Sequence, residues 1–145
     1  MDGLDTLLAD FNRLKENCRK LEGQKIVVGI VGKAGSDVLK IAHAHEYGVP
    51  GKLPERSFIR KSFDEDKAKL GAIVDEQVSQ VLAGKKPAEA AANAIGAQAA
   101  QIVQSFIDEN RVQPPSDFTK KRIHTTLYET GTHIRDRISW EVEKK

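Results

Sequence analysis

The sequence predicts an α+β fold, with two long helices and an N-terminal helix packed on a small, mostly antiparallel sheet. Three observations carry this. Two adjacent helix-length segments in the middle of the chain place apolar residues at steps of three and four. A β-branched run lies near the start, and a strictly alternating run lies near the end. Two adjacent amphipathic helices bury their stripes most simply against such a sheet. The 145 residues, 39% hydrophobic and 30% charged, suit a single domain spanning 1–145 that builds a core without covalent staples.

The first element is a helix over about 3–22. Leu4, Leu7, Leu8, Phe11, Leu14, Cys18 and Leu21 form its stripe, and Gly23 follows as a stop. Cys18 lies inside the stripe and is expected to pack as a small hydrophobe. Residues 25–31 (KIVVGIV) read as a buried strand, and 32–35 (GKAG) as a turn. Residues 36–47 admit a strand reading by alternation of Ile41, His43, His45 and Tyr47. Ser36 as N-cap, Asp37 in the first turn and Gly48 just past the end favour a short helix instead. Residues 48–54 (GVPGKLP) hold two glycines and two prolines in a seven-residue loop, expected to be the most mobile internal segment.

Residues 62–65 (SFDE) have capping-box spacing, which predicts a helix over about 63–82 with Leu70, Val74, Val78 and Val81 or Leu82 inward. Pro87 suits the opening turn of the next helix, over about 87–110, whose stripe is Ala91, Ile95, Ala99, Ile102 and Phe106 beside Val103 and Ile107. Its alanine-rich start is low in bulk and permits close approach of a neighbour. Residues 113–119 read as a loop. Ile138, Trp140 and Val142 alternate with Ser139 and Glu141, the pattern of a half-buried strand over about 137–143.

Charge and composition exclude more than they identify. Lys and Arg number 23 against 21 Asp and Glu, a net +2 that makes no electrostatic case for nucleic acid. The single cysteine excludes an intrachain disulfide framework. The longest apolar run is far short of the roughly 18 residues a spanning helix needs. The acidic start, MDGLDTLLAD, has no basic region followed by an apolar run, so no secretory signal is expected.

Catalytic and ligand-binding patterns fail on spacing. His43 and His45 lie two apart, about 200° around a helix, and cannot share a metal ion there. Gly29, Gly32 and Gly35 follow a strand and precede a helix, but Lys33 is followed by Ala34 rather than Ser or Thr, and no Gly-x-Gly pair is present. No Gly-x-Ser-x-Gly elbow exists. Ser57 and Ser62 with the upstream histidines are a combination that any chain of this size offers. No cofactor and no catalytic residue is assigned. Two basic clusters remain: Lys52, Arg56, Arg60 and Lys61 near Phe58, and Lys120, Lys121 and Arg122 near Phe118. They make a nucleic-acid-binding module the rival reading from another class, with direct nucleic-acid contact the weaker expectation.

Two segments resemble a known family. Residues 41–60 (IAHAHEYGVPGKLPERSFIR) bring His45, Glu46, Tyr47 and Gly48, then a loop, then Pro54, Arg56, Phe58, Ile59 and Arg60. Residues 127–142 (LYETGTHIRDRISWEV) contain Thr130 and Gly131, followed by Ile138 and Val142. Together, in this order and with two helices between them, they resemble the neck and tail-completion proteins of long-tailed bacteriophages and prophages. Ser57 stands where that family often has Pro, and Glu129 where Asp is usual.

The resemblance implies a virion structural protein that is not an enzyme. It implies a subunit that assembles with itself in a six-fold ring, next to head-closure and tail proteins, without a membrane. The expected location is the virion and, during assembly, the cytoplasm of the bacterial host. A tail terminator or minor head component has similar size and architecture and is the nearest alternative. Glu46, Arg56 and Thr130–Gly131 are open to two uses: holding the loop within one subunit, or, for Arg56 and Arg60, pairing with carboxylates across an interface.

Overall fold

Small side chains on the second long helix decide the architecture. A computed structural model of the chain describes residues 3–30, 36–51, 55, 57–109 and 134–144. Among the described residues the order is α1 (Gly3–Glu22), β1 (Gln24–Ile30), α2 (Ser36–Tyr47), α3 (Arg60–Glu65), α4 (Lys67–Leu82), α5 (Ala88–Asp108), α6 (Ile134–Arg137) and β2 (Ile138–Lys144). The protein is α+β, with a two-stranded antiparallel sheet among the described residues. α5 lies at its centre, burying Ala88, Ala91, Ala92, Gly96, Ala99, Ala100, Ile102, Val103, Phe106 and Ile107. Alanine favours the helix and keeps its surface thin, so neighbours come close.

β1 and β2 pair from Gln24 opposite Lys144 to Ile30 opposite Ile138, so Val28 faces Trp140 and Ile26 faces Val142. Val28, Ile30 and Trp140 pack on a core of Ala42, Phe58, Ala100, Val103, Phe106, Ile107, Ile134 and Ile138. The closest approach is at Gly96, where a Cβ would sit 2.5 Å from Trp140 Cδ1 and 2.7 Å from Cγ. Trp140 Nε1 donates to Asn93 Oδ1 at 3.1 Å, which fixes the indole one turn before that glycine. β1 is half-buried rather than buried throughout, with Gly29 alone below the surface. Among the described residues it has one strand neighbour, β2.

Three expectations about residues 62–82 are corrected. The helix expected over 63–82 is two helices, α3 and α4, joined at Asp66. The capping box does not form: Ser62 lies inside α3, and its hydroxyl donates to Ile59 O at 2.7 Å. The acceptor for the α3 amides comes from another helix, as described below. Within α4, Val81 and Gln77 are buried, whereas Leu82 is exposed and Leu70, Val74 and Val78 are only partly covered.

The largest correction concerns α1. Its stripe was expected to face inward, yet α1 buries no residue, and Leu4, Leu7, Leu8, Phe11 and Leu14 are exposed. Cys18 is exposed too. α1 rests on α4 and α5 by the edge of the stripe: Leu21 packs on Val81, Ala88 and Ala91, and Asn17 Nδ2 donates to Val81 O at 3.1 Å. The thin start of α5 and the end of α4 offer too narrow a bed for the whole stripe.

At the far end, Arg135 grips Asp108 through Nε to Oδ1 at 2.8 Å and Nη2 to Oδ2 at 3.0 Å, and so joins α6 to the end of α5. The Asp108 and Asp136 carboxylates raise the Arg135 pKa further above its ordinary value. About a third of each side chain of the Arg135–Asp108 pair is exposed, so solvent screens it. Arg135→Ala is expected to cost less than about 1 kcal/mol and to shift a thermal melt by no more than about 3 °C. A larger shift would assign this clamp more of the stability than its exposure allows.

Candidate functional site

The two halves of the first motif meet at one carboxylate. α2 ends at Tyr47, and Gly48 follows with φ +74° while its N–H donates to Ala44 O at 2.7 Å. That left-handed residue is the ordinary helix stop, and it turns the chain out into the loop. In the last turn of α2 the two histidines part as their spacing requires. His45 is buried, whereas His43 is exposed with its ring 4.7 Å from that of Tyr47.

Glu46, buried beside His45, receives the start of α3. Its Oε2 accepts from Phe58 N at 2.9 Å and Ile59 N at 3.0 Å, and its Oε1 from Arg60 N at 3.0 Å. Ser57 Oγ donates to Oε1 at 2.8 Å and itself accepts from Lys61 N at 3.2 Å. The backbone N–H groups of four successive residues, 58 to 61, are thus satisfied by two side chains. A helix start leaves such amides without partners and carries partial positive charge, so a carboxylate is well matched to it. Glu46 performs from a distance what a local capping box performs from within.

Arg60 completes the knot. Its Nε donates to Glu46 Oε1 at 2.9 Å, and one Nη donates both to Glu46 O at 2.8 Å and to Glu55 Oε1 at 2.9 Å. Its guanidinium carbon lies 4.6 Å from the centre of the Tyr47 ring. Burial by itself pushes the Glu46 carboxyl upward. The amides of Ile59 and Arg60, the Arg60 side chain and the Ser57 hydroxyl outweigh that and hold its pKa below the ordinary glutamate value. Arg60 is shifted upward, chiefly by its hydrogen bond to Glu46. Phe58, between these groups, is fully buried in the main core and anchors the far end of the loop.

His45, Glu46, Tyr47, Gly48, Phe58 and Arg60 are therefore brought together. Arg60 does not stand as an open interface arginine; it pairs with two carboxylates of its own chain. Its use for phosphate contact is reduced for the same reason. Pro54, Arg56, Thr130 and Gly131 lie outside the described residues, as do Lys52, residues 120–122 and part of the loop expected over 48–54. Ser57 stood out in sequence as a weak nucleophile candidate and as a replacement for a proline, although a Ser just before a helix start is the signal for its capping role. The stacking of Tyr47 on Arg60 had no signal in spacing, because the two lie on separate elements.

Among the described residues no group of three or more His, Cys, Asp or Glu side chains is placed to hold a metal ion. No protein-family model matches this chain, and no curated protein and no solved structure matches it. What the arrangement does chemically is tie the end of α2 to the start of α3, and it leaves Tyr47, more than half exposed, beside that tie.

Proposed function

We propose that this chain is a structural protein of a tailed bacteriophage or prophage particle, of the neck or tail-completion kind. It joins head to tail through contacts between subunits. The observation that carries the reading is the Glu46 knot. Glu46, Phe58, Ile59 and Arg60, four of the residues by which segment 41–60 resembles that family, are among those that tie the end of α2 to the start of α3. They need no substrate to explain them. A ring subunit requires a contact element held firmly at its base, and the knot supplies one. Tyr47, exposed at its rim, is a residue type favoured at the energetic centres of interfaces. In this reading the chain forms a six-fold ring with its own copies and sits between head-closure and tail proteins in the virion.

Deleting the coding sequence from the phage or prophage that carries it tests the proposal by electron microscopy of the lysate. The expected result is DNA-filled heads and complete tails lying separately. Joined particles in normal yield contradict it.

A further inference from the structure

The open stripe of α1 has a second copy of the same helix as its best partner. Leu4, Leu7, Leu8 and Phe11 are each more than half exposed, and Leu14 is 41% exposed. A contiguous apolar stripe of this kind is uncommon on a protein that stays alone. Leu4, Leu7, Phe11, Leu14, Cys18 and Leu21 alternate by three and four, the seam spacing of paired helices. The contact with α4 and α5 runs along the edge of that seam, through Asn17 and Leu21.

Charge selects the occupant and its direction. The first half of α1 carries Asp5 and Asp10 and no base, whereas the second carries Arg13, Lys15, Arg19 and Lys20 against Glu16 and Glu22. The ion pairs Asp10–Arg13 and Glu16–Arg19 within the helix are exposed and weak, and leave this division in place. Two parallel copies would set each half against its like. Two antiparallel copies set acidic against basic and oppose the helix dipoles. A shorter antiparallel overlap centred on residues 7 and 8 would bring Asp5 against Asp10, so the full overlap is the favourable register.

We propose that the free chain forms a two-fold dimer through antiparallel pairing of α1. Leu4 packs on Leu21 of the partner subunit, Leu7 on Cys18 of the partner subunit and Phe11 on Leu14 of the partner subunit. Such a contact closes on itself and does not propagate into a ring. It is therefore separate from the ring contact of the preceding reading and stands or falls without it.

Cys18, the single cysteine, makes the register testable. In the antiparallel dimer the two Cys18 residues lie about 16 Å apart along the helices, beyond the roughly 7 Å that a disulfide spans. Under mild oxidation the native chain is expected to form no covalent dimer, Leu7→Cys with Cys18 retained is expected to form one, and Leu7→Cys with Cys18→Ser is expected to form none. Light scattering should give the dimer mass for the native chain and the monomer mass for Leu7→Glu with Phe11→Glu. Circular dichroism should show the helical content of that variant unchanged. A native monomer at every concentration, a native chain that cross-links through Cys18, or a mass indifferent to the two glutamates overturns the proposal.

Discussion

Glu46→Ala is expected to destabilise the protein by about 3 kcal/mol and to lower its melting temperature by about 10 °C. The carboxylate is buried and accepts from three backbone amides, the Ser57 hydroxyl and Arg60. Alanine removes every acceptor at once, so amides 58 to 60 lose their partner while Phe58 is still held in the core. Glu46→Gln keeps one acceptor oxygen but turns an amide NH2 toward the donors, so it is expected to fall between wild type and Glu46→Ala. Thermal melts of the three purified chains check the order.

The same group predicts a pH dependence. A carboxyl whose pKa is lower folded than unfolded contributes its stability above the unfolded value, about 4.3 for Glu. That contribution is lost as pH falls through the lowered folded value. The stability gap between wild type and Glu46→Gln should thus be constant near neutrality and close below about pH 4.3. A gap that persists unchanged well into acid would mean that the carboxylate charge is not what holds α3.

Gly96→Val is the second large effect, expected at about 3 kcal/mol or loss of folding. Even the first added carbon would sit 2.5 Å from Trp140 Cδ1 and 3.0 Å from its Cβ. The indole has little freedom to give way, because it is tethered to Asn93 and lies on β2 against the core. Gly96→Ala should cost less, and Trp140→Leu should recover part of the loss when combined with it. A double-mutant cycle gives that coupling. Trp140 is the sole tryptophan, so its fluorescence reports the displacement directly. If Gly96→Val melts like the native protein with unshifted fluorescence, α5 and β2 are not packed as described.

Local signals made much of the fold legible. Gly48 marked the end of α2, Pro87 the start of α5, and the alternation of Ile138, Trp140 and Val142 marked β2. The alanines of 88–100 announced a close approach, although the identity of the approaching group, Trp140, depended on which strand lay there. What was not legible depended on distant partners. SFDE had the form of a capping box, but Glu46 outcompeted it with a better placed, buried carboxylate one helix start earlier. The stripe of α1 had the form of a core face, but periodicity reports that a face is apolar and not that its own chain covers it. At the candidate site Glu46, Gly48, Phe58 and Arg60 could be named from sequence, whereas the choice between a contact within the subunit and one across an interface was a matter of geometry. For Glu46 and Arg60 the contact is internal.

Head-to-tail joining is tested most directly by complementation in the test tube. A lysate from particles made without this chain is mixed with the purified chain, and infectious particles are counted. The expected result is a rise in joined, infectious particles that scales with added chain. Heads and tails that stay apart at every concentration, while both remain competent in a control lysate, contradict the account.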